Sequence, residues 1–130
     1  MTPVEITRAA KDLFHAEKTQ QQIGLLTISN PNMHIDDAYA VQKELVALKI
    51  ADGCCVTGWK IGLTSKAMQY ALDINIPDSG ILFDDMHFED GSTVPKGRFI
   101  QPRIEAEIAF VMKDGLDGGV TRAEVLAATD

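Results

Sequence analysis

The chain has 130 residues, a formal net charge of −7 and 45 % hydrophobic residues. This acidic balance argues against nucleic acid or an anionic membrane as the main partner, because both select basic surfaces. No apolar run approaches the roughly 20 residues that a membrane-spanning helix needs. Cys54 and Cys55, the two cysteines, are adjacent and would bridge each other only with strain, so the sequence predicts free thiols in a reducing, cytoplasmic setting.

Residues 1–53 are predicted to be helical. Thr2-Pro3-Val4-Glu5 is typical of a helix start, with a threonine cap, a proline in the first turn and a glutamate three residues after the cap. This helix is predicted to run to about Gln22, and residues 29–32 are predicted to form a loop. Asp36 is predicted to cap a second helix, which Gly53 would end.

The segment that follows has the pattern of β structure. Residues 56–63 are predicted to form a strand, and Thr64-Ser65 to cap a short helix. Pro77-Asp78-Ser79-Gly80 is typical of a turn, although an aspartate in a turn commonly has only a local role. A short strand is predicted over residues 81–83.

The C-terminal third is predicted to contain a hairpin, a strand and a helix. Asp90-Gly91 favours a hairpin over residues 87–94, and the apolar alternation of residues 104–112 predicts the strongest strand. Thr121-Arg122-Ala123-Glu124 is a second capping box, and no stop signal follows it before Asp130. We therefore expect an α+β protein, with a helical region over 1–53 and the start of a β-rich catalytic domain over 54–130, as the front part of a longer chain.

Two glutamates interrupt the apolar pattern of the predicted strand 104–112. Glu105 and Glu107 would share one face of that strand, about 6–7 Å apart along the backbone. A half-buried strand whose glutamates face water is the commonest explanation of such alternation, yet Ala109 and Val111 continue the same face and are apolar. Two partly buried carboxylates repel unless a cation lies between them, and oxygen ligands suit Mg²⁺ or Mn²⁺. A third carboxylate ligand would be expected, and this stretch offers none.

Lys60 is flanked by glycines on its own face of the predicted strand 56–63. Gly58, Lys60, Gly62 and Thr64 would point the same way, leaving an open floor beside the lysine. A lysine there could hold a carboxylate or an enolate oxygen, or could be an ordinary surface residue. Thr64 and Ser65 could bind an anion at a helix start, or serve only as caps.

Several segments together resemble a known family. GWKIGLTSKAMQ, PDSGIL and PRIEAEIAFV are similar to segments of the 2-oxo-acid hydratases and decarboxylases of aromatic meta-cleavage pathways, within the fumarylacetoacetate hydrolase superfamily. DDAYAVQ and LFDDMHFEDG are similar to that family as well. The resemblance covers nearly the whole chain, and it implies the front part of a β-roll fold.

The resemblance also implies a set of site residues. Glu105 and Glu107 would be two of three carboxylate ligands of Mg²⁺ or Mn²⁺, with the third ligand outside this chain. Lys60 would contact the bound substrate, with Thr64 and Ser65 beside it, and Asp78 would do acid–base work.

The implied activity is that of a metal-dependent hydratase. It would add water to 2-oxohept-4-ene-1,7-dioate, a dicarboxylic 2-oxo acid of the homoprotocatechuate pathway, in a cytoplasmic homo-oligomer. The sister 4-oxalocrotonate decarboxylase, which needs the same metal-stabilised enolate, is the nearest alternative. A non-catalytic assembly domain and an α+β domain without a site are the alternatives from other classes.

Overall fold

The N-terminal part of the fold is helical. In the computed structural model, which describes residues 1–130, α1 spans Pro3–Thr19, and a single turn, α2, spans Leu26–Ser29. The predicted capping box of α1 is confirmed, because the Glu5 N–H donates to Thr2 Oγ1 at 3.3 Å and the Thr2 N–H donates to the Glu5 carboxylate at 2.7 Å. The helix ends before the predicted Gln22, since Gln20 adopts a left-handed φ of 58°.

The second long helix, α3, spans Ile35–Ala51 and was correctly predicted. Its predicted cap, Asp36, is wrong: the N-cap is His34, and the carboxylate of Asp37 accepts the N–H of His34 at 2.9 Å. Asp37 also accepts the N-terminal ammonium group of Met1 at 2.6 Å. The hydrogen bond from the His34 backbone, followed by the bond from the ammonium, lowers the pKa of Asp37.

The core of residues 1–100 lies between α1 and α3. Ala9, Ala10 and Val41 are buried at its centre, and the small alanines let the two helices approach closely. Larger apolar side chains surround them: Met1, Ile6, Leu13, Leu26, Met33, Leu45 and Leu48. The core therefore fixes α3 firmly against α1.

A buried ion pair joins α1 and α3 to the sheet. Lys49 is only 4 % exposed, its Nζ lies 2.5 Å from Glu17 Oε1, and it sits 4.8 Å from the ring centroid of Phe83. The carboxylate and the ring face both favour the charged ammonium, which offsets the cost of burying it.

The sheet consists of two antiparallel strands. Strand β1 spans Val56–Gly62, β2 spans Asp78–Phe83, and α4, over Lys66–Leu72, connects them. The predicted first strand and the short helix are confirmed. The predicted turn at residues 77–80 is wrong, because β2 begins at Asp78 and its first residues pair with the end of β1. Cross-strand pairing has here overridden the turn composition.

The hairpin predicted over residues 87–94 is also wrong. A short 3₁₀ helix covers Asp84–Met86, and only a turn, closed by the Ser92 N–H to the Glu89 carbonyl at 3.0 Å, remains at Asp90-Gly91. Asp90-Gly91 is not flanked by segments of alternating apolar residues, so the turn does not join two strands.

Residues 101–130 form a separate compact unit. Its helix, α5, spans Arg122–Ala127, and the predicted capping box is confirmed by bonds of 3.3 Å and 2.7 Å between Thr121 and Glu124. The strand predicted over residues 104–112 is wrong, because only Met112 forms a bridge, with Thr129. A strand needs a partner, and Ile104 at 101 % exposure has none covering it.

The architecture confirms the α+β class, with helices and a small antiparallel sheet. No helix is both long enough and apolar enough to cross a membrane. Both cysteines are free thiols, as the sequence predicted. The division after residue 53 stays a prediction about the whole protein.

Candidate functional site

Lys60 and Asp78 lie on the same face of the two-stranded sheet. The register pairs Lys60 with Gly80 and Gly62 with Asp78, and residues directly opposite each other in an antiparallel pair point to one side. Lys60 and Asp78 are therefore diagonal neighbours, at a typical separation of about 7–8 Å between backbones. Both side chains are exposed. The structure thus brings together a cation and a carboxylate that are 18 residues apart in the sequence.

Glycine opposite each charged residue leaves room for its side chain. A Cβ placed on Gly62 would overlap Oδ1 of Asp78 and lie 3.2 Å from its Cγ. A Cβ placed on Gly80 would lie 3.5 Å from Cγ of Lys60. The Asp78 carboxylate thus rests directly on the backbone of Gly62, and the Lys60 stem passes over Gly80. The sequence predicted the glycines of β1, but it missed Gly80, because the register was not known.

The beginning of β2 is fastened to α3 at Ser79. The Ser79 N–H donates to the hydroxyl oxygen of Tyr39 at 3.1 Å, and the Gln42 amide donates to the Ser79 carbonyl at 2.9 Å. Ser79 follows Asp78 directly, so α3 holds the backbone beside the carboxylate. Sequence reasoning missed Tyr39 and Gln42, although their spacing of three residues on a helix places them on one side of it.

The junction of β1 and α4 is held by a buried glutamine. Leu63 adopts a left-handed φ of 54°, and its carbonyl accepts a bond of 2.6 Å from Gln69. Gln69 is only 4 % exposed and accepts a bond of 2.9 Å from Lys66. Ser65 Oγ accepts the N–H of Met68 at 3.2 Å, which confirms its role as a cap. Contacts of Thr64 and Ser65 with a substrate stay a prediction.

Glu105 and Glu107 belong to the compact unit of residues 101–130, whereas Lys60 and Asp78 belong to the unit of residues 1–100. Both side chains are exposed, and no residue from 103 to 111 has a positive φ. Two carboxylates two positions apart in the sequence fit the set of hard oxygen ligands that Mg²⁺ takes, about six ligands in all. The pair would supply part of such a set. Because residues 104–111 pair with no strand, the predicted shared face stays a prediction.

A different group of three potential metal ligands occurs at Cys54, Asp84 and Asp85, whose ligand atoms lie within 4.8 Å of one another. Both carboxylates are already engaged: Asp84 accepts the N–H of Cys55 at 2.8 Å, and Asp85 accepts a bond of 2.9 Å from Arg98. Burial raises the pKa of the Cys54 thiol, and the charge of Asp85 raises it further, so the thiol stays protonated at neutral pH. This cluster has the character of a structural contact.

Known proteins similar to this chain are enzymes that act on 2-oxo acids. A 2-oxo-hept-4-ene-1,7-dioate hydratase from Escherichia coli is 52 % identical over 125 residues, which are 95 % of this chain and 47 % of the relative. A 2-keto-4-pentenoate hydratase from Paraburkholderia xenovorans is 44 % identical over 131 aligned positions, which cover 100 % of this chain and 49 % of the relative. No family profile matches the chain.

A solved structure shares the fold. The 4-oxalocrotonate decarboxylase from Pseudomonas putida G7, complexed with magnesium and adipate, superposes with a TM-score of 0.91 at 36 % identity. The match covers 100 % of this chain and 50 % of the decarboxylase, so the chain spans about half the length of the relatives it matches. In sequence and in fold, these 130 residues are similar to members of the 2-oxo-acid hydratase and decarboxylase family, over about half the length of those proteins.

Proposed function

We propose that the whole protein is a metal-dependent hydratase that adds water to a 2-oxo or 2-hydroxy dienoate. The observation that carries the proposal is the placement of Lys60 and Asp78 on one open face, each over a glycine of the opposite strand. The similarity to the E. coli hydratase supports 2-oxohept-4-ene-1,7-dioate as the substrate. In this proposal the chain supplies the front part of a β-roll, with the catalytic domain starting at about residue 54.

Lys60 would bind and polarise the substrate. A 2-oxo acid carries a carboxylate next to a carbonyl oxygen, and an ammonium group beside them stabilises the negative charge that develops on enolisation. The stem of Lys60 lies over Gly80 without side-chain obstruction, so the exposed face leaves space for a flat dienoate. Thr64 and Ser65, between β1 and α4, would contact the substrate carboxylate.

Asp78 would move the proton. We propose that its carboxylate takes the proton of the 2-hydroxyl group and returns it to carbon, which converts the dienol to the ketone. Return of the proton to C5 leaves a double bond between C3 and C4 that is conjugated with the new ketone, which makes C4 electrophilic, and water then adds across that bond. The Asp78 carboxylate is suited to proton transfer because it lies over the Gly62 backbone and is exposed on the same face of the sheet as Lys60.

Glu105 and Glu107 would hold a divalent cation, Mg²⁺ or Mn²⁺, with a third carboxylate from outside this chain. Such a cation, when bound, stabilises negative charge on the 2-oxo oxygen. Both glutamates are exposed hard donors, and the similar decarboxylase was solved with magnesium. Mg²⁺ is the cation that we favour.

The decarboxylase is the second candidate. The solved structure with the same fold is a 4-oxalocrotonate decarboxylase, and both reactions require the same enolate. Release of carbon dioxide rather than a hydrated acid would identify it. A non-catalytic assembly domain is the candidate from another class, and it predicts that Lys60 is dispensable. For the enzyme we propose a cytoplasmic homo-oligomer in the homoprotocatechuate pathway.

The ligand assignment is tested by calorimetric titration of the whole protein with Mg²⁺. We expect Glu105→Gln and Glu107→Gln each to weaken metal affinity at least tenfold, because each removes an anionic ligand. Glu124→Gln is the matched control, since that glutamate caps α5 and should leave the affinity unchanged. Unchanged affinity in both ligand variants would overturn the assignment. Turnover should stop with a chelator and return with Mg²⁺.

A further inference from the structure

The outer edge of β2 is covered by side chains of α3 at one residue, Ser79. Neighbouring residues of a strand turn their backbone groups to opposite edges. Ser79 directs both its N–H and its carbonyl to α3, at 3.1 Å from Tyr39 and 2.9 Å from Gln42. These two groups would otherwise be unpaired at a sheet edge, since β2 has β1 as its one neighbour.

We infer that Tyr39 and Gln42 are positioning residues, which hold Asp78 in place for proton transfer by fixing the backbone of Ser79. The inference rests on the proposed acid–base role of Asp78. It adds two residues of α3 to a site that otherwise consists of strand and loop residues. Their hydrogen bonds go to the backbone of Ser79, the residue next to Asp78, so they act through the chain itself.

Tyr39 and Gln42 are suited to holding Ser79 because they lie on a helix that packs into the core. Val41, which lies between them in the sequence, is 2 % exposed and belongs to the core between α1 and α3. Tyr39 and Gln42 are half-buried on this fixed helix, while Asp78 is the exposed first residue of its strand. A strand terminus frays easily, so two bonds from a rigid helix restrict the position of Asp78.

Two conservative substitutions test the inference in the whole protein. Tyr39→Phe removes only the hydroxyl group, and Gln42→Met removes the amide while keeping the length of the side chain. We expect each to lower kcat about tenfold, with KM and Mg²⁺ affinity within twofold of the wild type, because misplaced catalytic groups lose rate before binding. Glu44→Gln, at an exposed position of the same helix, is the control and should leave kcat unchanged.

The decisive measurement repeats both substitutions in an Asp78→Asn background. If Tyr39 and Gln42 act through Asp78, each causes less than a twofold further loss there. A full tenfold further loss would overturn the inference and leave the proposed function standing. Wild-type activity of Asp78→Asn itself would instead overturn the acid–base role, and the inference with it.

A merely structural role is separated by thermal unfolding and by the pH profile. Positioning predicts that Tyr39→Phe, which keeps the packing of the ring, changes the acid limb of the kcat profile while the unfolding temperature changes little. A fall in unfolding temperature with an unchanged kcat would contradict positioning. If Gln42→Met does not fold, Tyr39→Phe alone, in both backgrounds, decides the question.

Discussion

Replacement of Gly62 by alanine should impair catalysis far more than stability. A Cβ at this position would overlap Oδ1 of Asp78, so the carboxylate has to move by about 1 Å to reach ordinary contact. The backbone of Gly62 does not require glycine, because its φ is not in the left-handed region. The clash is therefore with the end of a flexible side chain, which can rotate away.

The two effects of Gly62→Ala differ in size. Alanine restricts the unfolded chain and so favours folding by about 0.4–1 kcal/mol, which offsets part of the strain, and the net change in unfolding free energy should stay within about 1 kcal/mol. A displacement of about 1 Å at a catalytic group costs on the order of 100-fold in rate. That factor corresponds to about 2.7 kcal/mol of activation free energy.

The assay measures kcat and thermal unfolding for Gly62→Ala and for Gly80→Ala in the whole protein. Gly80→Ala is the matched control, because its Cβ would lie 3.5 Å from Cγ of Lys60, an ordinary contact. We expect kcat to fall about 100-fold in the first variant and less than threefold in the second. Wild-type kcat in Gly62→Ala, or an equal loss in both variants, would refute the role of the Asp78 position.

Three further predictions concern stability and binding. Glu17→Gln should lower the free energy of unfolding in urea by about 2 kcal/mol, because it leaves the buried ammonium group of Lys49 unpaired. Lys49→Met, which removes that ammonium group, should lower it less, and equal effects of the two substitutions would contradict this prediction. Asp37→Asn should lower the free energy of unfolding at pH 7. The difference from the wild type should shrink as the pH falls below about 4, because a carboxyl group with a lowered pKa stabilises the fold only while it is ionised. A difference that stays constant with pH would refute this prediction. Ser65→Asn keeps a residue that can cap α4, so the unfolding temperature should stay unchanged. KM should rise, because Ser65 contacts the substrate in the proposed site. An unchanged KM would show that Ser65 serves only as a helix cap.

Local signals in the sequence were sufficient for the starts of α1, α4 and α5. The capping boxes at Thr2 and Thr121 and the serine cap at Ser65 are formed by residues within three positions of each other, so their physics is contained in a short stretch. The cap of α3 was placed two residues late, at Asp36 instead of His34, because histidine is not among the residue types that commonly cap helices.

Strands were harder to predict because a strand depends on its partner. Residues 104–112 alternate as a strand should, yet only Met112 pairs, in a single bridge with Thr129. By contrast, residues 78–80 of the predicted turn enter β2 because the end of β1 pairs with them. The residues of the candidate site likewise divide into those that the sequence indicated and those that only the structure reveals. Lys60 and Asp78 were found by residue type and resemblance, but Gly80, Tyr39 and Gln42 follow only from register and from the contact between α3 and β2.

The most direct test of the proposed hydratase is to identify the product. The whole protein would be incubated with 2-hydroxyhepta-2,4-dienedioate and Mg²⁺, the dienol absorbance followed, and the products separated. We expect a metal-dependent loss of the dienol, formation of one hydrated acid without carbon dioxide, and little turnover in Lys60→Met and Asp78→Asn. Carbon dioxide as the product, or turnover that persists in both variants, would contradict it.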